Sequence, residues 1–111
     1  MIVRLVKMTF RDEEVPRFQQ LFDGWRRRII AFHGCHKLEL LHDASDPRIF
    51  FTHSEWESAA DLDAYRNSPV FGDVWPVVKP LFAAPVEAWS LEREHTMVAT
   101  PPQTDRKPPL A

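Results

Sequence analysis

The sequence predicts an α+β fold, an antiparallel sheet with helices on one face. Three observations predict it: apolar runs of strand length at 2–10, 35–43, 48–56 and 85–93, a long helical stripe after Val15, and a second helical stretch beyond Ser58. Residues 2–10 alternate imperfectly, with Ile2, Val6, Met8 and Phe10 on one side and Val3 and Leu5 on the other, as in a strand buried on both faces. From Val15 the residues Phe18, Phe22, Trp25, Ile29 and Phe32 recur at helical spacing. Asp12, Glu13 and Glu14 stand at the start of this helix and Arg26, Arg27 and Arg28 near its end, as the helix dipole favours. Gly34 is expected to close it in a left-handed cap.

The strands at 35–43 and 48–56 form a hairpin through Ala44, Ser45, Asp46 and Pro47, residues that supply local side-chain bonding and a fixed φ. In the second of these strands Phe50, Thr52, Ser54 and Trp56 share one face, and Ile49, Phe51, His53 and Glu55 the other. Ser58 caps a short helix carrying Leu62 and Tyr65, with Asp61 at the acidic position of a capping box. Ser68 and Pro69 restart the helix, which Pro76 and Pro80 are expected to break or kink. The order strand, helix, strand, strand, helix, strand is the ferredoxin-like βαββαβ arrangement, an antiparallel sheet with helices on one face. Both faces of most strands nevertheless keep large apolar groups: Val3, Leu5, Ile49, Phe51, Trp89 and Leu91 lie opposite Val6, Met8, Phe50, Val86 and Ala88. A second copy is the cheapest cover for the helix-free face, so a homodimer packed sheet to sheet is expected.

The 111 residues allow one compact domain, and 44% hydrophobic with 27% charged residues is a globular balance. Five prolines at 85, 101, 102, 108 and 109 crowd the last third, so a folded unit over residues 1–95 and a proline-rich tail over 96–111 are expected. A net charge of -2 argues against nucleic acid as a partner. The apolar stretches are too short for a membrane span, and the N-terminus lacks the pattern of a signal peptide, which together suggest a cytoplasmic protein. Cys35, the single cysteine, can form no internal disulfide, and reads as a small buried hydrophobe. No spacing of His, Cys, Asp or Glu suggests a metal, no glycine-rich loop a nucleotide, and no serine elbow a hydrolase.

The stretch SEWESAADLDAYRNSPVF, residues 54–71, resembles the antibiotic biosynthesis monooxygenase family, whose members are dimeric α+β barrels. There a strand ends in Trp, a Ser-capped helix follows, and a Ser-x-x-Phe step begins the next turn; the matched positions are Trp56, Ser58, Leu62, Tyr65, Ser68 and Phe71. The resemblance implies cofactor-independent oxygenation of a polyketide anthrone or a quinol, haem degradation, or a non-catalytic ligand-binding or stress-related role. The haem-degrading branch relies on an Asn in the first strand and a His in the second helix, where this chain has Val6 or Lys7 and Trp75.

Oxygenation without metal or flavin needs a flat aromatic held in an apolar site, help in removing its proton, and exclusion of water. On that reading Trp56 and Tyr65 are the candidate catalytic residues, Trp56 flanking the substrate and Tyr65 offering a polar contact, while Phe71 and Trp75 form apolar walls. His53 is the remaining substrate-binding candidate, although its parity opposite to Trp56 points it toward the seam between subunits. His36 and His42 share a face but lie about 20 Å apart along a strand, too far to share a metal. The expected ligand is a small aromatic, with no cofactor.

Overall fold

A computed structural model describes residues 1–101. The chain forms β1 (Ile2–Thr9), α1 (Val15–Ile30), β2 (Cys35–His42), β3 (Ile49–Trp56), α2 (Ala59–Arg66), α3 (Pro69–Val78) and β4 (Glu87–Glu92), with single 3-10 turns at Asp12–Glu14 and Lys79–Leu81. The sheet runs β2-β3-β1-β4, with every pair antiparallel, and is the expected α+β, ferredoxin-like arrangement. Residues after Glu92 that are described form no regular element, and residues 102–111 of the expected tail lie outside the described residues.

Two local expectations change. Helix α1 ends at Ile30, capped by Ala31 in helical conformation, so Phe32 lies beyond it and Gly34 is not its cap. The chain instead makes consecutive tight turns, Phe32 N–H to Ile29 C=O at 3.0 Å and Cys35 N–H to Phe32 C=O at 3.0 Å. Gly34, at φ 87°, then swings the backbone into β2. It also brings β2 against α2: a Cβ at Gly34 would stand 2.5 Å from Asp61 Cβ. The second change is Pro76, which sits inside α3 without breaking it; the helix continues to Val78 and tightens into the 3-10 turn that holds Pro80.

The turns follow their side-chain chemistry. Asp43 accepts the backbone N–H groups of Ser45 and Asp46 at 2.9 and 2.8 Å, and Asp46 accepts that of Arg48 at 3.0 Å, which closes the β2–β3 hairpin. Arg28 of α1 pairs with Asp73 of α3 at 2.9 Å, so one of the three arginines at the helix end ties two helices together.

The register separates the two sheet faces. Arg4, Val6 and Met8 of β1, Phe50, Thr52, Ser54 and Trp56 of β3, and Leu38 and Leu40 of β2 face the helices. Val3, Leu5, Phe51, His53, Leu41, Trp89 and Leu91 face the other way. The core beneath the helices is in two parts. One joins Met8, Phe10, Phe18, Phe50, Val78 and Leu81, with Phe10 and Phe18 stacked at 4.2 Å. The other joins Ile29, Trp56, Leu62 and Tyr65.

Candidate active site

Between the two halves of the core lies a cavity of about 320 Å³. Its floor is the helix-side face of the sheet, from Arg4 and Ser54 through Val6 and Thr52 to Met8. Its roof is Phe18, Phe22, Trp25 and Ile29 of α1, Leu62, Tyr65 and Arg66 of α2, and Phe71, Val74, Trp75 and Val78 of α3. The volume falls at the lower end of the range for sites that take a small organic ligand.

Helix caps place the aromatic wall. The Ser58 hydroxyl accepts the Asp61 N–H at 3.1 Å and donates to the Asp61 carboxylate at 2.9 Å, starting α2 directly after Trp56. Ser68 does two jobs: its hydroxyl donates to the Tyr65 carbonyl at 2.6 Å and accepts the Phe71 N–H at 3.3 Å, ending α2 and opening α3. The result is a continuous series of rings. Trp56 stacks on Tyr65 at 5.0 Å, Tyr65 meets Phe71 edge-on at 5.4 Å, and Phe71 stacks on Trp75 at 5.7 Å.

The structure therefore brings Trp56, Tyr65, Phe71 and Trp75 to one cavity. His53 is not among them. It projects from the opposite face of the sheet, as the two-residue period of β3 requires, with Nδ1 3.3 Å from Glu39 Oε1 but outside hydrogen-bond geometry. It does not line this cavity. None of the other histidines reaches the cavity either: His36 meets Glu57 at 2.9 Å and His42 the Asp43 carbonyl at 3.1 Å, and neither lines it, nor does His33 or His95.

The polar groups differ in availability. Trp56 is 1% exposed, and its indole N–H donates to the buried Ser54 hydroxyl at 3.0 Å, so this tryptophan offers a ring face and no free donor. Burial pushes the Tyr65 phenol up to about 12, with a smaller push from Cys35. At neutral pH Tyr65 is thus a neutral donor, never a base. Burial also raises the Cys35 thiol, which stays protonated.

Two lining residues that the sequence reading passed over are cationic. Arg4 projects from the floor and Arg66 from the last turn of α2. Burial, and then the charge of Arg66, lower the Arg4 guanidinium below its usual range. A parity count along β1 is the signal that could have found Arg4: it stands in line with Ile2, Val6 and Met8 on the apolar side. Among the described residues no aspartate, glutamate or histidine lines the cavity. Nor do three His, Cys, Asp or Glu side chains gather as a metal site among the described residues.

The family model for antibiotic biosynthesis monooxygenases matches residues 1–75, which hold β1 through most of α3 and with them Arg4, Trp56, Tyr65, Arg66, Phe71 and Trp75. The chain belongs to the antibiotic biosynthesis monooxygenase family. Solved structures of the same fold agree. A Nitrosomonas europaea protein bearing the family's name superposes with a TM-score of 0.79 at 17% identity, over 86% of this chain and 100% of that one. Rv0793 from Mycobacterium tuberculosis gives 0.79 at 20% identity, over 87% and 98%. A Deinococcus radiodurans protein bearing the family's name gives 0.80 at 15%, over 90% and 99%. At such identities these likenesses speak to fold alone. No curated protein matches the chain.

Proposed function

We propose that this member of the family is a cofactor-independent monooxygenase of a small polycyclic aromatic or quinol. The observation that carries the reading is the aromatic-walled cavity, of a volume suited to fused rings, with Tyr65 in its lining. In the proposed reaction an activated ring CH₂ of an anthrone becomes C=O: one atom of O₂ enters the carbon, the other leaves as water with the two hydrogens, and the substrate itself is the reductant. Trp56, Phe71 and Trp75 hold the ring plane and exclude water, so that the substrate anion meets oxygen in an apolar medium. Tyr65 donates to the substrate oxygen as negative charge builds there.

The test is oxygen uptake with hydroxyanthrones and hydroquinones in the presence of chelator, against an autoxidation control. Uptake should saturate with substrate and fall at least tenfold in Tyr65→Phe. Uptake no faster than autoxidation, with tight binding of the same compounds, would establish the second reading, a non-catalytic aromatic-binding module. That reading draws on the lack, among the described residues, of a lining carboxylate or imidazole able to take a proton. The weaker alternative, haem binding or degradation, has no imidazole in the cavity to hold iron, and a haemin titration without a saturable Soret shift disposes of it.

The same proposal includes a homodimer in a cytoplasmic setting. Leu41, Trp89 and Leu91 are 47%, 40% and 44% exposed on the helix-free face, beside Leu5 and Phe51. A second sheet laid against that face covers all of them. Among the described residues no helix is long and apolar enough to cross a membrane.

A further inference from the structure

The cavity has two chemically different ends. Along β1 the residues facing it run Arg4, Val6, Met8, and the four-residue span from Arg4 to Met8 is about 13 Å of strand. The Met8 end is closed by Phe18 and Val78 and is wholly apolar. At the other end Arg4 sits between two serines, opposite Ser54 on β3 and Ser90 on β4, and donates to the Ser90 hydroxyl at 2.9 Å. Arg66 enters the same cavity from the helix above.

Arg4 is half-buried and Arg66 exposed, and the two guanidiniums repel each other at the rim of one largely apolar space. Among the described residues neither Arg4 nor Arg66 has a carboxylate within 4.0 Å. Glu92, which shares the inner face of β4 with Ser90, makes no ion pair with Arg4. The protein thus builds a positive end and leaves its counter-charge to come from elsewhere. Arg66 is exposed, which turns this end of the cavity toward solvent. A planar apolar body inserted toward Met8 leaves any acidic substituent at this end, within reach of both forks.

We propose that the ligand of this cavity is an aromatic acid, a fused-ring body carrying a carboxylate that Arg4 and Arg66 bind together. The proposal rests on the aromatic-pocket reading above and specifies it. Carboxylate recognition at this end fixes which ring carbon faces Tyr65, so the arginines position the substrate without touching the reacting atoms.

The experiment compares 2-naphthoate with 2-naphthamide, which has the same shape without the charge, by calorimetric titration at low salt in wild type, Arg4→Gln and Arg66→Gln. Wild type should prefer the acid by about tenfold or more, the scale of one charge-assisted hydrogen bond. The preference should shrink to within about twofold in each variant and weaken as salt is added. Arg66→Gln alters an exposed helix-end residue and keeps the test valid if Arg4→Gln fails to fold. Equal affinity for acid and amide in wild type overturns the anion inference and leaves the aromatic pocket standing. A preference that survives in Arg66→Gln and in a folded Arg4→Gln refutes the assignment to these arginines. Failure of both compounds to bind overturns the pocket reading and this inference with it.

Discussion

Replacing Gly34 with alanine should remove about 2–5 kcal/mol of stability. The backbone there has φ 87°, which costs an L-residue about 1–2 kcal/mol. The new methyl would also stand 2.5 Å from both Cβ and Cγ of Asp61. Asp61 belongs to the first turn of α2 and its carboxylate is already committed to the Ser58 hydroxyl, so relief requires moving the helix, an overpacking cost of about 1–3 kcal/mol. Urea titration at fixed protein concentration reads the sum; at a slope of about 2 kcal/mol/M the midpoint should fall by roughly 1–2.5 M. Gly24→Ala is the control, because a Cβ at that position in α1 meets nothing within 4 Å and should stabilise the helix by about 0.5–1 kcal/mol. Since α2 also carries Tyr65 and Arg66, aromatic affinity should fall with stability in Gly34→Ala alone. A Gly34→Ala variant within about 1 kcal/mol of wild type, or a Gly24→Ala variant equally damaged, would refute the reasoning.

Tyr65 is the sole tyrosine, so the ultraviolet absorbance of tyrosinate reports it alone; its midpoint should stand near the value of about 12 set by burial, and a midpoint near 10 would contradict the buried phenol. Because the folded state holds that proton more tightly than the unfolded chain, its contribution to stability should be full below pH 10 and disappear as pH rises from 10 toward 12, which melting curves across that window check. Trp56→Phe should cost about 2–4 kcal/mol, from lost packing and from leaving the buried Ser54 hydroxyl without its donor. The double variant with Ser54→Ala should be less than additive; strict additivity would mean that the bond carries no stability. Trp89→Glu should convert a dimer to a monomer by light scattering, and an unchanged mass would move the subunit interface elsewhere. Across a series of anthrones the pH dependence of kcat/KM should follow each substrate's own acidity, and a single enzyme pKa common to all of them would reveal a base outside the cavity lining.

Much of the architecture was legible because it rests on local signals of known period. The β3 alternation placed Trp56 and Ser54 on the helix side and His53 on the other, and Ser58 and Ser68 each appear as the expected caps. The end of α1 was misread because Phe32 continues the apolar stripe by one more step; the register of Ile29 and Phe32 does not reveal that Ala31 ends the helix. Pro76 does not end α3, since a local rule against proline yields here to a helix anchored by Ser68 and by the Arg28 to Asp73 pair. The site was legible only in its aromatic half. Trp56, Tyr65, Phe71 and Trp75 fall within one recognisable stretch, whereas Arg4 and Arg66 come together only through the crossover that sets β1 beside β3. Trp25 reads equally well as plain core from its helical spacing, and its place on the cavity roof depends on how α1 lies across the sheet.

The lining sets a division of labour for the proposed chemistry. A site that removed a proton would ordinarily hold a histidine or a carboxylate, and among the described residues this cavity has neither; the titratable groups they bring to its lining are a phenol near 12 and two arginines. Such a set can stabilise an anion but cannot make one by taking a proton at neutral pH. The acidity must therefore belong to the substrate, as it does for phenols and anthrones whose conjugate bases are delocalised over fused rings. The electrons must belong to it as well, since the reaction proposed oxidises the ring itself. What remains for the protein is selection and placement: rings that fix the plane, one donor at the oxygen, and a positive end that holds the substrate's carboxylate. On this account Arg4, half-buried on the otherwise apolar inner side of β1, is matched to the proposed ligand rather than to the packing of the core.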